Sequence, residues 1–161
     1  SRKPQMALAD QWGLKSYKPT GGGCLVTEQI FGSRLKDFLS WPYRDAKETA
    51  VLKWGRYFRL DEQTVGVLGR DDRENELLIA HGHGGDYCLR LVDFPGPLLL
   101  LKTVSLREEM LAVAGGIVQY FSKARNLPPQ QIHYWPAGEA QQTKTVTARL
   151  LSEDEIKRMG R

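Results

Sequence analysis

Between residues 105 and 121 the apolar side chains Leu106, Met110, Val113, Ile117, Tyr120 and Phe121 recur at steps of three and four, the spacing of a helix that buries one face. Gly115 and Gly116 sit in its middle, where each costs about 1 kcal/mol against alanine. Close approach of another backbone is the compensation this pattern predicts. A shorter stripe of Phe31, Leu35, Phe38 and Leu39 predicts a helix over 27–39 that Pro42 ends. Period-two alternation takes over elsewhere. Segments 56–60 and 64–68 predict a hairpin around Asp61-Glu62-Gln63. Segments 86–92 and 97–104 predict two strands joined by Asp93-Phe94-Pro95-Gly96-Pro97, and 131–135 and 144–150 the last two. Four pairs of a cap residue with Glu three positions later, Asp45 with Glu48, Asp71 with Glu74, Ser105 with Glu108 and Ser152 with Glu155, mark helix starts.

From residue 56 the order is strand, strand, helix, three times over. Local pairing of this kind predicts an α+β fold: a mixed, mainly antiparallel sheet with one long helix and two shorter ones packed on it, preceded by a small helical segment. Residues 1–50 are mostly helical or irregular around Pro19-Thr20-Gly21-Gly22-Gly23. They read as a helical lead-in or linker from an upstream domain, and 51–161 as the α+β domain.

Composition narrows the class. A chain of 161 residues with 41% hydrophobic and 26% charged side chains is an ordinary globular domain, not a disordered or coiled-coil one. Its longest apolar block, 97–101, is far short of the roughly 18 residues of a membrane span, and the first residues lack the pattern of a secretory signal. No membrane association is expected. Cys24 and Cys88 form no C-x-x-C, which excludes a disulfide framework and a four-thiolate zinc site and points to a cytoplasmic location. The chain opens on Ser1, as a piece of a longer protein does. The net charge of +4 is unevenly spread: residues 1–60 hold 11 Lys and Arg against 5 Asp and Glu, and the rest hold 12 against 14.

Candidate chemistry is sparse. The triple glycine before Cys24 lacks the Gly-Lys-Ser/Thr end of a phosphate loop. Cys24 lies just ahead of the helix predicted from Thr27, where a positive dipole end lowers a thiol pKa. It is the candidate catalytic residue of a sulfur-transfer or thiol enzyme, against the alternative of a small buried apolar residue; Cys88 reads as packing in its strand. His81-Gly82-His83-Gly84-Gly85-Asp86 places two imidazoles and a carboxylate together, but only the distant His133 accompanies them. It reads as a solvated turn, and neither metal nor cofactor is expected. No Ser/His/Asp order stands out. Lys53-Trp54-Gly55-Arg56-Tyr57-Phe58-Arg59 interleaves cations with rings that can stack on bases, and Ser122-Lys123-Ala124-Arg125 ends the long helix in positive charge. A protein-docking surface around Trp41 and Trp54 is a third reading.

The order of blocks carries a resemblance. Gly55-Arg56-Tyr57-Phe58-Arg59-Leu60, Gly69-Arg70-Asp71-Asp72-Arg73-Glu74-Asn75-Glu76, Gly85-Asp86, Asp93-Phe94-Pro95-Gly96-Pro97 and Tyr120-Phe121-Ser122-Lys123-Ala124-Arg125 resemble the NFACT-R type of RNA-binding domain. The variant most similar is the one at the C-terminus of PP-loop proteins of the tRNA-thiouridylase type. Gly22-Gly23-Cys24-Leu25-Val26-Thr27 with Phe31 and Arg34-Leu35-Lys36-Asp37 resembles the linker ahead of it. The resemblance implies that tRNA or another structured RNA is the partner, with Arg56, Arg70, Lys123 and Arg125 on phosphates. Lys53, Tyr57 and Arg59 join them from the basic and aromatic run. It further implies a PP-loop ATPase domain upstream or in trans, because the Ser-Gly-Gly-x-Asp-Ser loop that binds ATP is absent here.

Overall fold

The computed structural model describes residues 3–13, 28–41 and 46–161. The elements run α1 (Lys3–Gln11), α2 (Gln29–Leu39), a 3₁₀ segment (Ala46–Lys53), β1 (Arg56–Asp61), β2 (Thr64–Leu68), α3 (Asp72–His81), β3 (Asp86–Leu91), β4 (Leu99–Thr103), α4 (Glu108–Tyr120), β5 (Gln131–Pro136), a short 3₁₀ turn (Ala140–Gln142), β6 (Lys144–Thr147) and α5 (Glu153–Met159). All six strands join one sheet in the order β1-β2-β4-β3-β5-β6, and every pair is antiparallel. The α+β expectation holds.

Two cores explain why the block 97–101, which leads into and forms most of β4, is apolar without alternation. Side chains alternate across a strand, and both faces of this sheet are covered. Leu68, Leu89, Leu91, Leu99, Leu101 and Ile132 pack under α4 with Leu111, Ala114, Ile117 and Val118. Val65, Val67, Cys88, Leu98 and Leu100 face the other way, toward Phe31 and Phe38 of α2, Val51 and Leu52 of the 3₁₀ segment and Leu78 of α3. Each fully buried leucine contributes about 1.5–3 kcal/mol, so the block 98–101 anchors both layers.

The close approach predicted at the paired glycines is present. A Cβ on Gly116 would lie 2.0 Å from the Arg149 carbonyl oxygen, and one on Gly115 would lie 2.8 Å from Ile132 Cγ1. Arg149 N–H in turn donates to the Ala112 carbonyl at 2.9 Å, so the chain after β6 lies directly on α4.

Several starts and ends differ from expectation. The Ser105–Glu108 cap does not form: α4 begins at Glu108 behind Arg107, because Val104 N–H bonds Gln63 and the Ser105 carbonyl accepts from Thr103 Oγ1, holding these residues to the end of β4. Strand β4 starts at Leu99, since Asn75 Oδ1 of α3 takes the Leu98 N–H. The Ser152–Glu155 capping box is complete. Asp71 caps Glu74 N–H, but Glu74 returns its carboxylate to Arg70 N–H instead of to Asp71. Asp45 and Pro42 lie outside the described residues. Helix α2, expected in a lead-in, is bound into the body: Arg34 donates to the Leu52 carbonyl at 3.1 Å and the Gly55 carbonyl at 3.0 Å, and Phe38 and Trp41 are buried in the second core.

Candidate nucleic-acid interface

Strand register gathers most of the sequence blocks at one end of the sheet. Arg56 pairs Leu68, Leu68 pairs Leu99, Leu99 pairs Leu89, and the neighbouring Leu91 pairs Ile132. The start of β1, the Gly69-Arg70 turn and the 92–98 connection therefore sit side by side. The C-terminal end of α4 reaches the same place, because the Arg56 guanidinium lies over the Phe121 ring at 4.8 Å.

A row of cations on rings results. Arg125 lies over Tyr120 at 3.9 Å and donates to its hydroxyl at 2.6 Å. Tyr120 meets Phe121 edge-on at 5.1 Å, and Phe121 rests on Phe58 at 5.8 Å. Each stacked arginine gains about 0.5–1 kcal/mol at an exposed site, enough to orient a guanidinium without neutralising it. Arg56, Lys123 and Arg125 are exposed and form no ion pair among the described residues.

Local chemistry fixes both ends of the row. The buried Gln119 amide donates to the carbonyls of Ala124, Leu127 and Pro128, each at 3.0 Å. Ser122 Oγ accepts Ala124 N–H at 3.0 Å. Ala124 is thereby drawn fully inside, and Lys123 and Arg125 on either side stay out in solvent. At the other end Gly55 has φ of +62°, and a Cβ there would lie 2.2 Å from the Leu68 carbonyl oxygen. The Arg34 clamp, whose pKa burial lowers, holds that turn.

The remaining candidates are placed differently. Lys53 is exposed at the end of the 3₁₀ segment. Arg70 is exposed, but its guanidinium bonds Glu74 at 2.8 Å, and this partner raises its pKa. Tyr57 offers no stacking face: it is buried and its hydroxyl donates to Asp37 Oδ2 at 2.7 Å, so that burial above all raises its pKa. Arg59 is spent on the same carboxylate, with Nε to Asp37 Oδ2 at 2.8 Å. Alternation along β1 made both look available, and α2 covers them. Trp41 is also in the core, and Trp54 is half-buried against the His81 ring at 4.7 Å, so of the two tryptophans of the docking reading only Trp54 keeps partial exposure.

His81 Nδ1 lies 2.8 Å from the Leu77 carbonyl, and Asp86 is taken by His83 N–H and Lys102. These groups do not converge on a common point, and among the described residues no His, Cys, Asp and Glu set is arranged to hold a metal ion. Cys24 and its glycines lie outside the described residues. Cys88 is buried, and burial first, then Asp86, pushes its thiol up to about 12. At pH 8 an alkylating reagent is therefore expected to leave Cys88 unmodified in the folded protein and to label it in urea, read by mass spectrometry of its peptide. Labelling at a free-thiol rate in the native state would refute this burial.

Sequence reasoning missed the seats under the cations. Tyr120 and Phe121 read as core periodicity, and only their position next to a basic turn hints at a second use.

A six-stranded antiparallel sheet between helical layers, with guanidinium groups seated on aromatic rings at one end and without an ion pair among the described residues, defines an α+β module with a cationic sheet end. The chain belongs to the NFACT protein RNA binding domain family, whose model matches residues 55–159. RNA is accordingly its class of partner. No curated protein matches the chain. Among solved structures, the C-terminal part of the fibronectin/fibrinogen-binding protein from Streptococcus suis is similar with a TM-score of 0.56 and 24% identity, over 66% of this chain and 49% of that one. This likeness concerns the fold, and the chain spans about half the length of that relative. Among the described residues no helix is long and apolar enough to cross a membrane.

Proposed function

We propose that this domain holds tRNA by its phosphates at the cationic sheet end, as the RNA-binding part of a cytoplasmic PP-loop tRNA-thiolation protein whose adenylation and sulfur chemistry reside on a separate domain, upstream or in trans. The observation that carries RNA holding is the row of Arg125, Tyr120, Phe121 and Arg56, whose two guanidinium groups keep their charge for a ligand. Lys123, Lys53 and Arg70 extend it, Arg70 after exchanging Glu74 for phosphate. The thiolation context is supported by the order of the sequence blocks.

Phosphate contacts carry position and not base identity, so the test is a salt series with tRNA. Affinity should fall steeply with salt, and Arg56→Ala with Arg125→Ala should lower the salt slope by about two, one for each lost contact. The loss should be similar for all RNAs. Absence of tRNA binding at 50 mM salt, or an unchanged slope in a folded double variant, overturns the assignment. The thiolation context is tested separately: the domain added to a PP-loop ATPase partner should raise thiouridine formation in the tRNA it binds.

A further inference from the structure

The 92–98 connection that packs Gly96 against Ser122 also borders a cleft of about 480 Å³ lined by Asp72, Arg90, Asp93, Phe94 and His133, within the roughly 300–1,000 Å³ of small-ligand sites. Arg90 and His133 are cross-strand partners on β3 and β5. They lie on the sheet face away from α4, since their neighbours Leu89, Leu91 and Ile132 point into the α4 core. Arg90 is exposed and makes no ion pair among the described residues. The Nδ1 atom of His133 is buried and has no hydrogen-bond partner among the described residues, a state that native proteins rarely leave unresolved.

The charges select the ligand. Asp72 and Asp93 are both exposed carboxylates beside a single guanidinium, so the cleft repels phosphate, unlike the cationic row beyond Ser122. Two carboxylates, one arginine and the imidazole of His133 suit a flat group that offers N–H donors on one edge and acceptors on another. Among the bases, guanine does this: N1–H and the N2 amine suit a carboxylate, and O6 with N7 suits arginine. Single-stranded RNA is recognised by such splayed-out, stacked bases.

We propose that this cleft takes one unpaired guanine of the RNA whose phosphates lie on the neighbouring cationic end; the proposal rests on the RNA-holding function above. Asp72 and Asp93 accept from its N1–H and N2 amine, Arg90 donates to O6 and N7, and the His133 imidazole faces the ring.

Labelled hairpin RNAs that differ at one loop position (guanine, inosine or adenine) and a blunt duplex of equal length test it at one fixed salt concentration. Guanine should bind about tenfold tighter than adenine, the lower end of what one bidentate base-edge contact discriminates, with inosine between them for want of its N2 amine. Asp72→Asn with Asp93→Asn should abolish that order and leave duplex affinity unchanged or slightly raised. Both carboxylates are exposed, so the variant should keep its fold, which circular dichroism checks. Equal binding of the three hairpins by the wild type, or an intact guanine preference in the folded variant, overturns the guanine site while leaving phosphate holding in place. Failure to bind any hairpin or duplex at low salt overturns the RNA-holding function and the site with it.

Discussion

Replacing Lys102 by alanine is expected to destabilise the protein by about 3–5 kcal/mol, the cost of leaving a buried charge without its partner. Lys102 is 1% exposed, two residues beyond Leu100 on the face of β4 that carries the second core. Its ammonium group donates to Asp86 at 2.7 Å and to Glu48 at 3.4 Å. Asp86 has a side chain only 8% exposed and cannot turn to water when the lysine is gone. Glu48 belongs to the 3₁₀ segment, so the network also fastens that segment to β3 and β4. Lys102→Met combined with Asp86→Asn should recover a large part of the loss, because a neutral pair removes the uncompensated charge. Urea unfolding of Lys102→Met, of Asp86→Asn and of the double variant at pH 7 measures the coupling. If Lys102→Ala costs under about 1 kcal/mol, the pair is not the buried bridge described above.

Gly116→Ala gives the second large effect, and its sign separates two ways of reasoning. Helix propensity alone predicts a gain of about 1 kcal/mol, because alanine is the best helix former. The added methyl group, however, would lie 2.0 Å from the Arg149 carbonyl oxygen and 3.0 Å from Leu151 Cγ. A carbonyl is not the far end of a flexible side chain, so the backbone after β6 must move away from α4. Overpacking of this kind costs about 1–3 kcal/mol, and here it also strains the Arg149 N–H bond to Ala112. The net expectation is a loss of about 2 kcal/mol, seen as a melting temperature lowered by about 4–8 °C for a chain of this size. A raised melting temperature would show that the 148–151 segment moves aside freely.

The same contrast describes how far function was legible in the chain. The stripe from Leu106 to Phe121 located α4 and its buried face, and the paired glycines signalled a close neighbour; only the fold identified that neighbour as the Arg149 carbonyl. The basic and aromatic run 53–59 pointed to the right region. It could not separate Arg56, which remains exposed, from Tyr57 and Arg59, which α2 and Asp37 enclose. Asp37 lies about twenty residues upstream, and no periodicity within β1 reports a helix that folds back over it. The cap expected at Ser105 failed for a related reason, since hydrogen bonds at the end of β4 had already used these residues.

What the sequence determined by itself is local: the order of strands and helices from residue 56 onward, the apolar faces, the completed cap at Ser152, and the blocks that mark the family. These follow from periodicity and from side chains acting within three or four residues of themselves. The tertiary structure decided which cations remain free, that Tyr120 and Phe121 carry two of them, that Lys102 is buried with Asp86, and that Arg90, Asp93 and His133 share one cleft. Those outcomes depend on antiparallel register and on which helix covers which sheet face. Both are contacts between distant parts of the chain, and burial from such contacts sets whether a charge is spent inside the protein or left for RNA.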